Sequence, residues 1–327
     1  MGYRELVVLD GGMGHELKSR GVHAGMDVSL EALAGCFLPG ALACRDRPDA
    51  VRALHTEYVE AGARVLTTNN FVATPHYLAK TGRGGEMREL VQAAALRARE
   101  AAQASGESVL VAGCLPPLKE SYQTQGLGSE ADMQSQYAQI AAVLAPLVDI
   151  LLCETLASRA EVRAAVSAAC AHGKPVWVAM TLQDNTQALL RSGEPLVDAL
   201  HDVAGVPGVE ALLLNCCAPQ AVTAGLAQLA GALPAGLKVG GYANGFQTTT
   251  SEWLSGASQP AFSALSEDYV DGLITPAAYA RHASEWVKNG AEILGGCCGI
   301  GPEHIRALSN ALLSPSPQAV EGDVMEK

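Results

Sequence analysis

The chain has 327 residues, 49% of them hydrophobic and 17% charged, which is enough apolar material for one large core. A net charge of −12 argues against a nucleic-acid partner, because phosphates call for clustered Lys and Arg. No stretch approaches the roughly 20 apolar residues of a membrane span, and the start "MGYRELVVLDGG" lacks a signal-peptide pattern, so the expectation is a soluble, cytoplasmic protein.

Eight short apolar runs recur along the chain: "LVVLDGG" (6–12), "RVLTTNNF" (64–71), "SVLVAGCLP" (108–116), "DILLCETL" (149–156), "PVWVAMTL" (175–182), "EALLLNCC" (210–217), "KVGGYANG" (238–245) and "AEILGGCCG" (291–299). Between them lie stretches with helical spacing of Leu, Val and Ala and with Pro or Asp near their starts. Examples are "PDAVRALHTEYVEAGA", "EMRELVQAAALRAREAAQ", "DMQSQYAQIAAVLAPL" and "PAAYARHASEWVKNGA". Near-continuous apolar strands alternating with helices predict a parallel sheet covered on its faces. Eight such units, with no GxGxxG after the first strand, predict a single (β/α)8 TIM-type barrel over residues 1–313. Irregular segments are expected at about 22–47, 119–130 and 246–275, and residues 314–327, "SPSPQAVEGDVMEK", read as a disordered tail.

In a barrel the chemistry gathers at the C-terminal ends of the strands. The unusual residues fall there: Asp10-Gly11-Gly12, Thr67-Thr68-Asn69-Asn70, Glu154-Thr155, Asn215-Cys216-Cys217 and Gly295-Gly296-Cys297-Cys298-Gly299. Nine cysteines in a chain without a secretion signal suit metal or thiol chemistry better than disulfides. Adjacent cysteines such as Cys297 and Cys298 are badly placed to bridge each other. Three thiolates from two strand ends suffice to hold zinc and leave its fourth position open, as in catalytic sites. The surrounding glycines let the backbone turn both sulfurs to one point. On strand six both Cys216 and Cys217 are candidates. Glu154 ends a strongly apolar strand, where a carboxylate is costly without a cationic partner. The eight histidines (15, 23, 55, 76, 172, 201, 282 and 304) form no metal pattern and read as surface or structural. Cys153 is expected to face away from Glu154, and Cys170 to pack in a helix.

Together "LDGGMGHELKSRG", "CETL", "NCC" and "GGCCG" resemble the zinc-dependent homocysteine S-methyltransferases over about residues 5–312. The resemblance implies a (β/α)8 barrel with Cys216, Cys297 and Cys298 as zinc ligands, Cys216 being selected because it directly follows Asn215. It also implies that Asp10 and Glu154 hold the substrate's amino group, with Thr68 and the Gly11-Gly12 backbone near its carboxylate. The implied partners are two small molecules, homocysteine and a methyl donor, with methionine as product. A free thiol is only a few per cent ionised at pH 7, whereas coordination deprotonates it, so no further general base is required. Among donors the expectation is a sulfonium, S-methylmethionine or S-adenosylmethionine. Glycine betaine calls for an aromatic cage, and the betaine-using branch carries a tyrosine where this chain has Thr155. Two other classes remain as alternatives: a zinc-free lyase or hydrolase using Asp10 and Glu154, and a zinc-binding or thiol-sensing protein without turnover.

Overall fold

All eight apolar runs become strands of one parallel sheet, in the spatial order Val7–Val8, Ile293–Leu294, Lys238–Tyr242, Val209–Asn215, Val176–Met180, Ile150–Leu156, Leu110–Leu115 and Val65–Thr67. The computed structural model describes residues 5–22, 38–248 and 266–313. The strands are β1 (Val7–Val8), β2 (Val65–Thr67), β3 (Leu110–Leu115), β4 (Ile150–Leu156), β5 (Val176–Met180), β6 (Val209–Asn215) and β7 (Lys238–Tyr242). A small antiparallel hairpin, β8 (Tyr269–Val270) and β9 (Leu273–Ile274), precedes β10 (Ile293–Leu294). The ring is completed between β1 and β2 by one bridge, Leu9 to Val65, flanked by Arg64 N–H donating to Val8 O (2.7 Å) and Asp10 N–H donating to Val65 O (3.1 Å). This is a (β/α)8 barrel of the TIM type.

Strand alternation divides the core in two. Ile150 and Leu152, Trp177 and Ala179, and Ala211 and Leu213 point into the barrel, where they pack with Leu9, Val65, Ala112 and Ile293. Their neighbours Leu151, Cys153, Val178, Leu212 and Leu214 point outward into the layer shared with the helices. Continuing the inward series from Leu152 brings Glu154 to the barrel interior, and from Ala112 it brings Cys114 there.

The helices start where local chemistry allows. Pro48, Pro75, Pro219 and Pro276 stand in first turns, where a missing N–H costs nothing. Ser129 and Asp132 form a reciprocal capping box, and Thr74, Ser158 and Thr275 each cap a helix through the side chain. Alanines lie along the buried face of Met87–Ala104, at 94, 95, 98, 101 and 102, and let that helix approach closely.

Three differences from the sequence expectation bear on the site. Residues 38–46 form a helix within a segment expected to be irregular; Leu38 and Leu42 are fully buried, although Pro39 and Gly40 break the usual helical signal. The hairpin β8–β9 interrupts the expected loop at 246–275. The first strand, β1, and the last, β10, shorten to two residues each. Cys36 and the expected tail, residues 314–327, lie outside the described residues. Among the described residues no helix is long and apolar enough to cross a membrane.

Candidate active site

Beyond β10 the chain turns through Gly295–Gly299, and the turn is tied to both neighbouring strand ends. Gly296 N–H donates to Asp10 O (3.0 Å), Cys297 N–H to Ala243 O (2.9 Å), and Gly245 N–H to Cys298 O (2.8 Å). Two of the glycines are required by crowding: a Cβ on Gly295 would lie 2.5 Å from the Leu9 side chain, and one on Gly296 would lie 2.1 Å from that of Ile300. Tyr279, on the helix Pro276–Lys288, donates its hydroxyl to Gly295 O (2.7 Å) and anchors the turn from outside.

On β6 the chain leaves its strand through Cys216, whose φ of +54° is in the left-handed region. That conformation swings its thiol inward. The sulfurs of Cys216, Cys297 and Cys298 all lie within 4.8 Å of one another. Ligands of a tetrahedral zinc at 2.3 Å would stand about 3.8 Å apart, so small side-chain movements suffice and the donor set fits such an ion. Hydrogen bonds from Cys297 and Cys298 hold the Cys216 thiol well below the usual range, while theirs are pushed well above it. Cys217 instead packs in the outer core, and burial raises its thiol to about 12.

Asp10 and Glu154 reach the same cavity from β1 and β4. Burial pushes Asp10 up to about 8, although its Oδ2 accepts the Thr67 N–H at 2.9 Å. Burial likewise raises Glu154 to about 7. Both its oxygens are held: Cys114 Sγ donates to Oε2 (2.9 Å) and the Tyr242 hydroxyl to Oε1 (3.1 Å). Strand β4 is irregular between Cys153 and Leu156, with Thr155 at φ +60°. The Thr155 hydroxyl accepts from Asn215 Nδ2 (2.8 Å), and the residue does not line the cavity. Thr68 Oγ1 donates to Asn70 Oδ1 (2.6 Å) and accepts from Cys114 N–H (2.9 Å). A cavity of about 200 Å³ is lined by Asp10, Gly11, Thr68, Glu154, Cys216, Cys297 and Cys298 together.

Several residues of this neighbourhood do not stand out in the sequence. Tyr242 and Cys114 hold Glu154, and the signal that could have found them is strand alternation, which turns both toward the barrel interior. His55, expected to be a scattered structural histidine, is fully buried with Nδ1 3.9 Å from Asp10 Oδ2. Burial lowers it to about 3, so it is neutral, and its ring nitrogens make no hydrogen bond. His15 lines the cavity, as do Phe71, Tyr77, Tyr122 and Phe246. These aromatics come from three separate segments, at 71–77, 122 and 246, so that no single run of rings announces them. Cys153 faces outward as expected, and Cys170 ends the helix Arg159–Cys170 against the core.

Known proteins share both sequence and architecture with this chain. Homocysteine S-methyltransferase of Escherichia coli K12 is 28% identical over 321 residues, covering 93% of this chain and 94% of that protein. Betaine–homocysteine S-methyltransferase 1 of Danio rerio is 28% identical over 316 residues, covering 94% of this chain and 73% of its own. The crystal structure of the Escherichia coli homocysteine methyltransferase MmuM in its metallated form superposes with a TM-score of 0.72 at 27% identity, covering 93% of this chain and 95% of that one. Residues 7–312 match the family described as homocysteine S-methyltransferase, and the chain belongs to that family.

Proposed function

We propose that the chain is a zinc-dependent enzyme transferring a methyl group from a sulfonium donor, S-methylmethionine or S-adenosylmethionine, to the thiol of homocysteine to give methionine. The observation that carries this reading is the meeting of three cysteine sulfurs with two buried carboxylates in one cavity. Cys216, Cys297 and Cys298 would hold the zinc; bound there, it supplies deprotonation of the acceptor thiol while leaving the sulfur electron-rich.

The chain's own residues supply orientation. Asp10 and Glu154 present two carboxyl groups that burial pushes up to about 8 and about 7, so that without a partner they share protons with the solvent near neutral pH. An incoming ammonium offsets that desolvation and holds both as carboxylates. Cys114 and Tyr242 fix the Glu154 carboxylate plane, so the amino group is held in one place relative to the sulfurs. Gly11 and Thr68 line the wall proposed for the acceptor's carboxylate; the Thr68 hydroxyl reaches it by turning its proton away from Asn70. The buried walls exclude water, which favours direct transfer to sulfur over hydrolysis of the donor.

For the donor, Ser121 and Glu120, the latter already paired with Lys80, stand at the cavity where the amino-acid head of a sulfonium such as S-methylmethionine would lie. A second reading, glycine betaine, is favoured by the aromatic lining of Phe71, Tyr77, Tyr122 and Phe246. It also gains from Thr155 lying off the cavity, since the identity of that residue then says little about a cage. The deciding experiment is a side-by-side assay of the three donors with homocysteine and zinc-replete protein, measuring methionine. Turnover with a sulfonium supports the first reading. Turnover with betaine alone replaces it with the second, and no methionine from any donor overturns both.

A further inference from the structure

We infer that Arg191 and Tyr122 form a clamp that positions Cys216, with one guanidinium controlling both the carbonyl and the sulfur of that residue. The inference rests on the proposed metal site and goes beyond it, because neither residue belongs to the three-cysteine set. Cys297 and Cys298 stand in a turn that glycines make permissible, but Cys216 takes a left-handed φ of +54° with a side chain. Such a conformation persists only where its surroundings over-determine it.

Four contacts do so. The Cys216 amide donates to Tyr242 O (3.3 Å). Its carbonyl accepts from Thr181 Oγ1 (3.2 Å) and from Arg191 Nη2 (3.4 Å). Its sulfur meets the Tyr122 hydroxyl at 3.0 Å. Tyr122 is itself left-handed, at φ +68°, and the Arg191 guanidinium lies 4.7 Å from the centre of its ring. Arg191 is fixed in turn by a two-point pair with Asp184, at 3.0 and 3.2 Å, with side-chain exposures of 8% and 3%. Asp184 also accepts the Ala218 N–H at 2.7 Å, just beyond the cysteines of β6. A charge pair so deeply buried is costly as a stabilising device alone. Its placement beside Cys216, the one cysteine with a left-handed φ among the described residues, gives it a positioning role, through a planar group that stacks and donates at once.

The test uses the full chain loaded with cobalt(II) as the metal probe, with Tyr122→Phe, Arg191→Met, Arg191→Lys and the double variant Tyr122→Phe/Arg191→Met. Tyr122→Phe keeps the ring on Arg191 and removes only the hydroxyl. Tyr122→Phe and Arg191→Met should each release cobalt to a chelator roughly 10- to 100-fold more readily, the range for residues supporting metal ligands. Thiolate-to-cobalt absorption should shift, and kcat should fall while KM for homocysteine changes by less than about twofold. Because Tyr122 reaches the sulfur from the place where Arg191 holds it, the double variant should be no worse than the worse single. Arg191→Lys should recover part of the loss, because it keeps the charge without the plane. Cobalt retention and absorption like the parent's in Tyr122→Phe, or a double variant whose loss is the product of the singles, overturns the clamp. Tyr122→Phe decides alone if the Arg191 variants do not fold. A parent that holds no metal would refute the proposed metal site rather than the clamp. The clamp is then judged in the metal-free chain, where Tyr122→Phe should speed alkylation of Cys216 by iodoacetamide and an unchanged rate overturns it.

Discussion

A Cβ on Gly12 would lie 2.5 Å from the carbonyl oxygen of Cys297, so the turn after the first strand and the cysteine turn after the last are in backbone contact. The glycine pair that opens the chain's chemistry therefore sets the height of the sulfurs that close it. Gly12→Ala must push the Cys297 peptide away, since a carbonyl cannot yield as a flexible side-chain end can. Overpacking of this kind costs about 1–3 kcal/mol, so Tm should fall by several degrees and bound metal should decline. Elemental analysis and a melting curve check both; a variant with parental metal content would show that the two turns move independently.

Cys298→Ser should lose most of the metal and all measurable methyl transfer, because a hydroxyl is a much poorer zinc ligand than a thiolate. Cys170→Ala, at the end of an outer helix, should keep both. Metal content per chain and methionine formation are the measurements. Full activity in demonstrably metal-free protein would remove the metal from the mechanism.

Glu154→Gln and Asp10→Asn keep shape but delete the charges proposed to face the acceptor's ammonium. A charge-assisted contact is worth about 1.5–3 kcal/mol, which corresponds to roughly a ten- to hundredfold loss in kcat/KM for homocysteine. Metal content should stay near parental. Normal kinetics in both variants would make these carboxylates structural.

Burial raises Asp10 to about 8 and Glu154 to about 7, above their ordinary values near 4. The folded chain thus holds these protons more tightly than the unfolded chain. Their contribution to stability is complete below about pH 4 and is lost as pH rises through about 7 and 8. An ammonium ligand prefers the ionised carboxylates and reverses that loss. Melting curves between about pH 6 and about pH 9 should show a falling Tm without homocysteine and a ligand-induced rise that grows with pH. Glu154→Gln should flatten both trends.

The fold was legible because it rests on repetition: eight apolar runs separated by helical periods leave little choice of architecture. The sulfur cluster was legible because vicinal cysteines among glycines are hard to explain otherwise. What escaped was support assembled across the ring. His55 sits on a helix whose periodicity marks it only as inward-facing, and its neighbour Asp10 is 45 positions away in sequence. Tyr122 lies in a loop without period, and its partner Arg191 follows another strand altogether. The helix Leu38–Asp46 escaped for a different reason: Pro39 and Gly40 weaken local propensity, and tertiary burial overrides it.

The ring of strands is joined between its first and second members by one bridge, and Asp10 stands on that joint. Its amide bonds across to Val65 and its carboxylate to the amide of Thr67. The residue proposed to receive the acceptor is therefore also a fastener of the barrel. An ionised Asp10 accepts the Thr67 proton more strongly than a protonated one, so occupancy of the pocket tightens the seam beneath it. Solvent exchange of one backbone hydrogen at the joint thereby becomes a gauge of whether the enzyme is loaded.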